Sequence, residues 1–126
     1  MITVSFILAA YTAIIALIHT FAGGRAIAKP LISDQRIEPA VVWTMYACWH
    51  IVTLLLFMIA IAHLVLALSS NAYPGLAWML TALHTSFVLV FVAIGIRCKG
   101  LISITPQWTL FLPSTIASLI VSMSLP

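Results

Sequence analysis

The chain has 126 residues, of which 64% are hydrophobic and only 6% are charged. Soluble domains are about half apolar and about a quarter charged, so this chain lacks the polar side chains that a water-facing surface needs. Composition therefore excludes a soluble globular domain and predicts an all-α integral membrane protein that crosses the bilayer several times.

Four hydrophobic segments follow one another along the sequence, and the first ends at Gly23-Gly24. Each is long enough to cross a hydrocarbon core of roughly 30 Å at about 1.5 Å per residue. We therefore predict a single membrane domain, residues 1–126, with four transmembrane helices in an antiparallel bundle. The predicted spans cover about residues 2–22, 40–68, 75–96 and 107–125.

The basic residues predict the orientation of these spans. All of them fall in two loops, 23–39 and 97–106, and they are Arg25, Lys29, Arg36, Arg97 and Lys99. By the positive-inside rule both loops are cytoplasmic and both termini lie on the outer side, and we expect a bacterial inner membrane. The net charge of +3 is thus a topology signal. It does not indicate a nucleic-acid partner.

Small and weakly polar residues mark the faces through which helices pack in lipid, because the hydrophobic effect does not drive association there. In the first span they recur at spacings of four and three, as Ser5, Ala9, Thr12, Ala16, His19 and Gly23. Most of the hydroxyls are expected to bond back to their own helix. The bundle interior is predicted to be partly polar and to include Thr12, His19, His50, Thr53, Thr81, His84, Thr85 and Ser118.

Histidines are the main functional signal, because ionisable groups within spans are uncommon and usually face an interior or a cavity. All four, at positions 19, 50, 63 and 84, fall within predicted spans. They could ligate a haem or a metal ion, handle protons, or pack as neutral hydrogen-bonded groups. His50 and His63 are thirteen residues apart, a rotation of about 220° at about 100° per residue. They therefore point to nearly opposite sides, and His63 is predicted to be a contact residue near the outer face.

Depth along the spans suggests two histidine pairs. His50 and His84 differ by roughly 6 Å in depth at about 1.5 Å per residue, and this pair is the candidate for bis-imidazole haem ligation. His19 with His50 is the candidate for a metal ion near the cytoplasmic side. No carboxylate lies within a span to complete a metal site, and no HExxH or CxxC spacing is present. The sequence favours no cofactor over a haem or a metal ion.

Three functions are compatible with these residues. The first is a homo-oligomer, or an accessory subunit of a larger membrane complex, that contacts lipid and other membrane subunits. The second is a small channel or transporter for protons or polar solutes, and the third is a haem- or metal-binding redox component. An enzyme is not expected, because both carboxylates, Asp34 and Glu38, lie in the first loop, away from any partnered nucleophile.

Overall fold

A computed structural model describes residues 2–98 and 107–126, and all regular structure in these two ranges is helical. Three helical stretches are long and apolar enough to cross a membrane, Ile2–Ser33, Pro39–Leu68 and Pro74–Arg97. The fourth is an apolar helix of 17 residues. The prediction of an all-α protein is confirmed for these residues, and the three long apolar helices are consistent with a membrane protein. The elements are α1 (Ile2–Leu17), a π-helix (Ile18–Ala28), α2 (Lys29–Ser33), α3 (Pro39–Leu68), α4 (Pro74–Arg97) and α5 (Trp108–Ser124).

Prolines begin two of the long helices. Pro39 and Pro74 are the first residues of α3 and α4, where the missing backbone N–H is not needed and the fixed φ is already helical. Pro113 lies inside α5, where its ring removes one backbone hydrogen bond. The predicted starts of the second and third spans, at 40 and 75, agree with these helices to within one residue.

The helix that contains the first predicted span does not end at Gly23-Gly24. The helix continues through both glycines as a π-helix and then as α2, up to Ser33. The Lys29 N–H donates to the Gly24 carbonyl, five residues back. Glycine often ends a helix in water, but lipid offers no partner for freed backbone groups, so a continuous helix is favoured.

The connection to α3 is therefore only residues 34–38, instead of the predicted loop of 23–39. Within it, Asp34 accepts hydrogen bonds from the Arg36 guanidinium at 2.7 and 2.9 Å and from the Arg36 backbone N–H at 3.0 Å. These bonds hold the pKa of the Asp34 carboxyl below its usual value. The ion pair is a solvent-exposed turn contact.

The helices form two tightly packed pairs, which we call the first hairpin (α1 to α3) and the second hairpin (α4 with α5). In the first hairpin the imidazole of His19 stacks on the indole of Trp49. In the second, Thr81 hydrogen-bonds to Ser118 and Ser122. Contacts between α3 and α4 are sparse, although residues 69–73 connect these helices directly. The two hairpins are thus each more closely packed than the seam between them.

Two apolar clusters of the described residues hold the hairpins together. The Phe111 cluster consists of Ile15, Ala16, Leu56 and Phe111, with Phe87, Val88 and Phe91 of α4 packed against it. The Leu8 cluster consists of Leu8, Ala77 and Val121, with Leu66 of α3 packed against it. Each cluster therefore draws side chains from both hairpins.

Candidate functional site

Polar side chains from both hairpins are buried between the two apolar clusters. We call five of them the polar layer: Thr12, His63, Thr81, His84 and Ser118, all of them at most 7% exposed. On each of the four helices, a residue of the Leu8 cluster, or one packed against it, lies on one side of the layer residues along the sequence. A residue of the Phe111 cluster, or one packed against it, lies on the other side. The layer is thus enclosed by hydrocarbon side chains on both sides.

Two imidazoles face each other at the seam between the hairpins. The rings of His63 on α3 and His84 on α4 are both 0% exposed, and their centroids are 5.4 Å apart at an angle of 35°. The Leu80 carbonyl lies 2.9 Å from Nδ1 of His84. A carbonyl can only accept, so Nδ1 is assigned the proton and Nε2 is left as the acceptor of the neutral ring.

Several polar atoms of the layer have no hydrogen-bond partner among the described residues. They are Nδ1 and Nε2 of His63, Nε2 of His84 and Oγ1 of Thr12. Buried polar atoms are normally paired, and leaving one unpaired costs about 1–3 kcal/mol. Side chains that served only to pack the bundle would not need to carry this cost. These unpaired nitrogen and oxygen atoms can bind a proton or hydrogen-bond to a water molecule.

The rest of the layer is fully hydrogen-bonded. The Thr81 hydroxyl lies 2.9 Å from both the Ser118 and the Ser122 hydroxyl, and it donates to the Ala77 carbonyl at 3.1 Å. Elsewhere most hydroxyls donate to a carbonyl four residues back, as Thr53 does to Trp49 and Thr85 to Thr81. That agrees with the expectation of back-bonding.

The same substitution at two positions in the layer should therefore have opposite effects. We expect Thr12→Val to raise the free energy of unfolding by about 1 kcal/mol, because it removes an unpaired hydroxyl. Thr81→Val should lower it by about 1–2 kcal/mol, because the Ser118 and Ser122 hydroxyls lose their shared partner. Reversible unfolding in mixed detergent, followed by circular dichroism, measures both. Two shifts of the same sign would contradict the hydrogen-bond assignment.

The structure does not bring His50 and His84 together as the candidate haem pair. His50 is exposed and its ring meets Tyr46 edge-on, with centroids 4.5 Å apart. His84 is buried against His63 instead. Their spacing on α3 places His50 and His63 on different sides of the helix, and the histidine that meets His84 is His63 and not His50.

The missed pairing has a physical cause. Counted from the helix ends that flank the 69–73 connection, Leu68 and Pro74, the backbones of His63 and His84 differ in depth by roughly 7.5 Å at about 1.5 Å per residue. Side chains lean toward the N-terminus of their own helix. Since α3 and α4 run in opposite directions across the short 69–73 connection, the two rings lean toward each other and close this gap.

The predicted His19–His50 metal pair is not assembled into a ligand cluster either. The His19 ring stacks on Trp49 at 3.9 Å, and its Nε2 lies 3.3 Å from the Trp49 carbonyl, to which it donates. Within residues 2–98 and 107–126, no three His, Cys, Asp or Glu side chains come together as metal ligands. Of the predicted interior residues, Thr12, Thr81, His84 and Ser118 are buried, and His19, Thr53 and Thr85 are half-buried.

Cavities lie on both sides of the polar layer. One has a volume of about 500 Å³ and is lined in part by Ile15, Leu56 and Phe111 of the Phe111 cluster. The other has a volume of about 170 Å³ and is lined by Ser5, Asn71 and other residues near the 69–73 connection. An apolar cluster therefore separates the histidine pair from the cavity on each side.

No protein-family model, curated protein or solved structure matches the chain.

Proposed function

We propose that this protein passes protons across the membrane and that the His63–His84 pair is the relay at the centre of the path. The observation that carries the proposal is the state of His63, which is 0% exposed and has neither ring nitrogen bonded among the described residues. Imidazole takes up and releases protons near neutral pH, and histidines inside spans commonly serve proton relays. With both nitrogens free, His63 can take a proton at one and release it at the other.

The two cavities supply the approaches to this relay. The 170 Å³ cavity carries hydroxyl and amide side chains from Ser5, Ser69 and Asn71, and the 500 Å³ cavity carries His19 and Gln107. The apolar clusters between them and the layer act as hydrophobic constrictions, which conduct only when water enters them. Thr12, with its unpaired hydroxyl, offers a polar contact for such water.

The proposal includes a membrane disposition. We infer that α5 is the fourth crossing, because its 17 residues span roughly 25 Å, near the lower limit for a transmembrane helix. The connection 34–38 and the predicted loop 97–106 then lie on the cytoplasmic side, and both termini lie outside, as the basic residues indicate. A bacterial inner membrane is the corresponding location.

Proton flux in liposomes tests the relay. We expect purified wild-type protein, reconstituted around a pH-sensitive dye, to acidify the lumen when a potassium diffusion potential is applied. His63→Gln and His84→Gln should reduce the flux to the rate of protein-free liposomes, because an amide cannot relay a proton in this way. His50→Gln is the matched control and should retain wild-type flux, since His50 is exposed. Wild-type flux in both buried-histidine variants would overturn the proposal.

A second candidate function is that of an oligomer or an accessory subunit of a larger membrane complex. Its specific support is the stretch of α3 from Trp43 to His50, in which Trp43, Cys48 and His50 are all exposed. Hydrocarbon offers no hydrogen bond to an imidazole, whereas a neighbouring subunit does. In a Cys98→Ala background, a short bifunctional thiol reagent should link two copies through Cys48 if the partner is a second copy. Absence of the linked dimer in lipid bilayers at any protein density would exclude a homo-oligomer that brings the two Cys48 side chains together.

A further inference from the structure

The 500 Å³ cavity has aromatic walls and a few polar groups, which distinguishes it from the polar layer. Phe87, Phe91 and Phe111 line it and pack against one another, with centroids 4.9 and 6.0 Å apart around Phe111. Trp49 forms another part of the wall. Volumes of roughly 300–1,000 Å³ are typical of small-molecule sites, so the cavity is large enough for an organic ligand.

The cavity opens to the surroundings of the bundle. Val52 on α3 and Val90 on α4 both line it, and they are 37% and 53% exposed. Contacts between α3 and α4 are sparse, so the opening lies along the seam between the hairpins. At this level of the spans the surroundings are lipid. A molecule that enters here is therefore one that dissolves in the bilayer.

Two side chains of the cavity wall can each offer a hydrogen-bond acceptor. Oε1 of Gln107 is buried and has no partner among the described residues. Nε2 of His19 donates to the Trp49 carbonyl, which leaves Nδ1 as the acceptor of the neutral ring. Two acceptors beside aromatic walls favour a ligand that brings hydroxyl donors on a flat ring.

We propose that this cavity binds a lipid-soluble aromatic diol of the quinol class. The ring lies against the phenylalanines, its hydroxyls donate to Gln107 and His19, and its aliphatic tail leaves between Val52 and Val90. The ligand would occupy the cavity that forms one approach to the proton relay, but the site contains neither His63 nor His84 and its binding of a ligand does not rest on the relay. No electron transfer is included in the proposal.

Ligand-induced stabilisation tests this site with decylubiquinol as the probe. A ligand that binds only the folded state raises the unfolding midpoint with concentration. We expect decylubiquinol to raise the midpoint of the detergent-solubilised wild-type protein, and decanol, which supplies a tail without the ring, to leave it unchanged. Gln107→Leu should weaken the apparent affinity about three- to tenfold through loss of one hydrogen bond.

Two tryptophan substitutions, one at the opening of the cavity and one away from it, test whether the probe enters there. Val90→Trp should fill the cavity mouth and abolish the shift. Val65→Trp, at a site of similar exposure that does not line the cavity, should preserve it.

The proposal is overturned if decylubiquinol gives no shift in the wild type or if decanol gives an equal one, which would indicate a site for an acyl chain. It is also overturned if Gln107→Leu binds the probe with wild-type affinity. Proton flux in liposomes is a separate readout, so failure of this site leaves the relay untouched, and the reverse holds as well.

Discussion

Gly23→Ala should destabilise the protein by about 1–3 kcal/mol relative to Gly24→Ala, because only the first change overpacks the helix contact. A Cβ at Gly23 would lie 2.7 Å from Cη2 and 2.9 Å from Cζ2 of Trp49. A Cβ at Gly24 would meet nothing within 4 Å. Both changes gain the same conformational entropy, so their difference isolates the clash. A shift of the Trp49 indole away from this Cβ would disturb its stack on His19.

A double-mutant cycle identifies the clash as the cause. Trp49→Phe removes the outer indole ring, so Gly23→Ala should be tolerated as well as Gly24→Ala in that background. Unfolding in mixed detergent gives the free energies, and near-ultraviolet circular dichroism reports the environment of the indole. If Gly23→Ala costs the same with tryptophan or phenylalanine at position 49, the cause lies elsewhere in the π-helix.

His63→Leu should increase the free energy of unfolding by about 1–3 kcal/mol while abolishing proton flux. Leucine is similar in size and removes two buried nitrogens that have no partner among the described residues. Replacing such a group by an apolar one of similar shape is neutral or stabilising. A residue kept for packing alone would show the opposite sign.

Two further variants bracket the effect of His63→Leu. His50→Leu should change stability by less than about 0.5 kcal/mol, since His50 is exposed. His84→Leu should stabilise less than His63→Leu, because it also removes the bond from Nδ1 to the Leu80 carbonyl. A loss of stability for His63→Leu would mean that its nitrogens are hydrogen-bonded in the bilayer, and this result would contradict the proposed relay.

The fold was predictable to the extent that it depends on hydrophobicity. A chain with so few charged residues has to place its helices in lipid, and α3 begins at Pro39, where the sequence indicates a start. The buried seam of Ser5, Ala9, Thr12 and Ala16 also followed from spacing alone. The helical stretch after Gly24 did not follow from the sequence, because whether a glycine ends a helix depends on whether the freed backbone groups can reach water.

The histidine pair was harder to predict, because it depends on the relative register of two helices. Rotation about one helix axis follows from residue spacing, and it correctly separated His50 from His63. The distance between His63 and His84 depends on how α3 and α4 lean and how their side chains tilt across the seam. The buried face of α3 that contains Ala60, His63 and Ala67 was a signal in the sequence, since small residues at spacings of three and four mark helix contacts.

The division into two hairpins makes the molecule resemble a dimer whose halves happen to share one polypeptide. Each half has its own dense packing, and residues 69–73 are a short tether between them. Cutting this tether should leave two fragments that insert separately and then reassociate, as helices do in the two-stage view of membrane folding. His63 belongs to one half and His84 to the other. The distance between the two imidazoles therefore reports any movement of one half relative to the other.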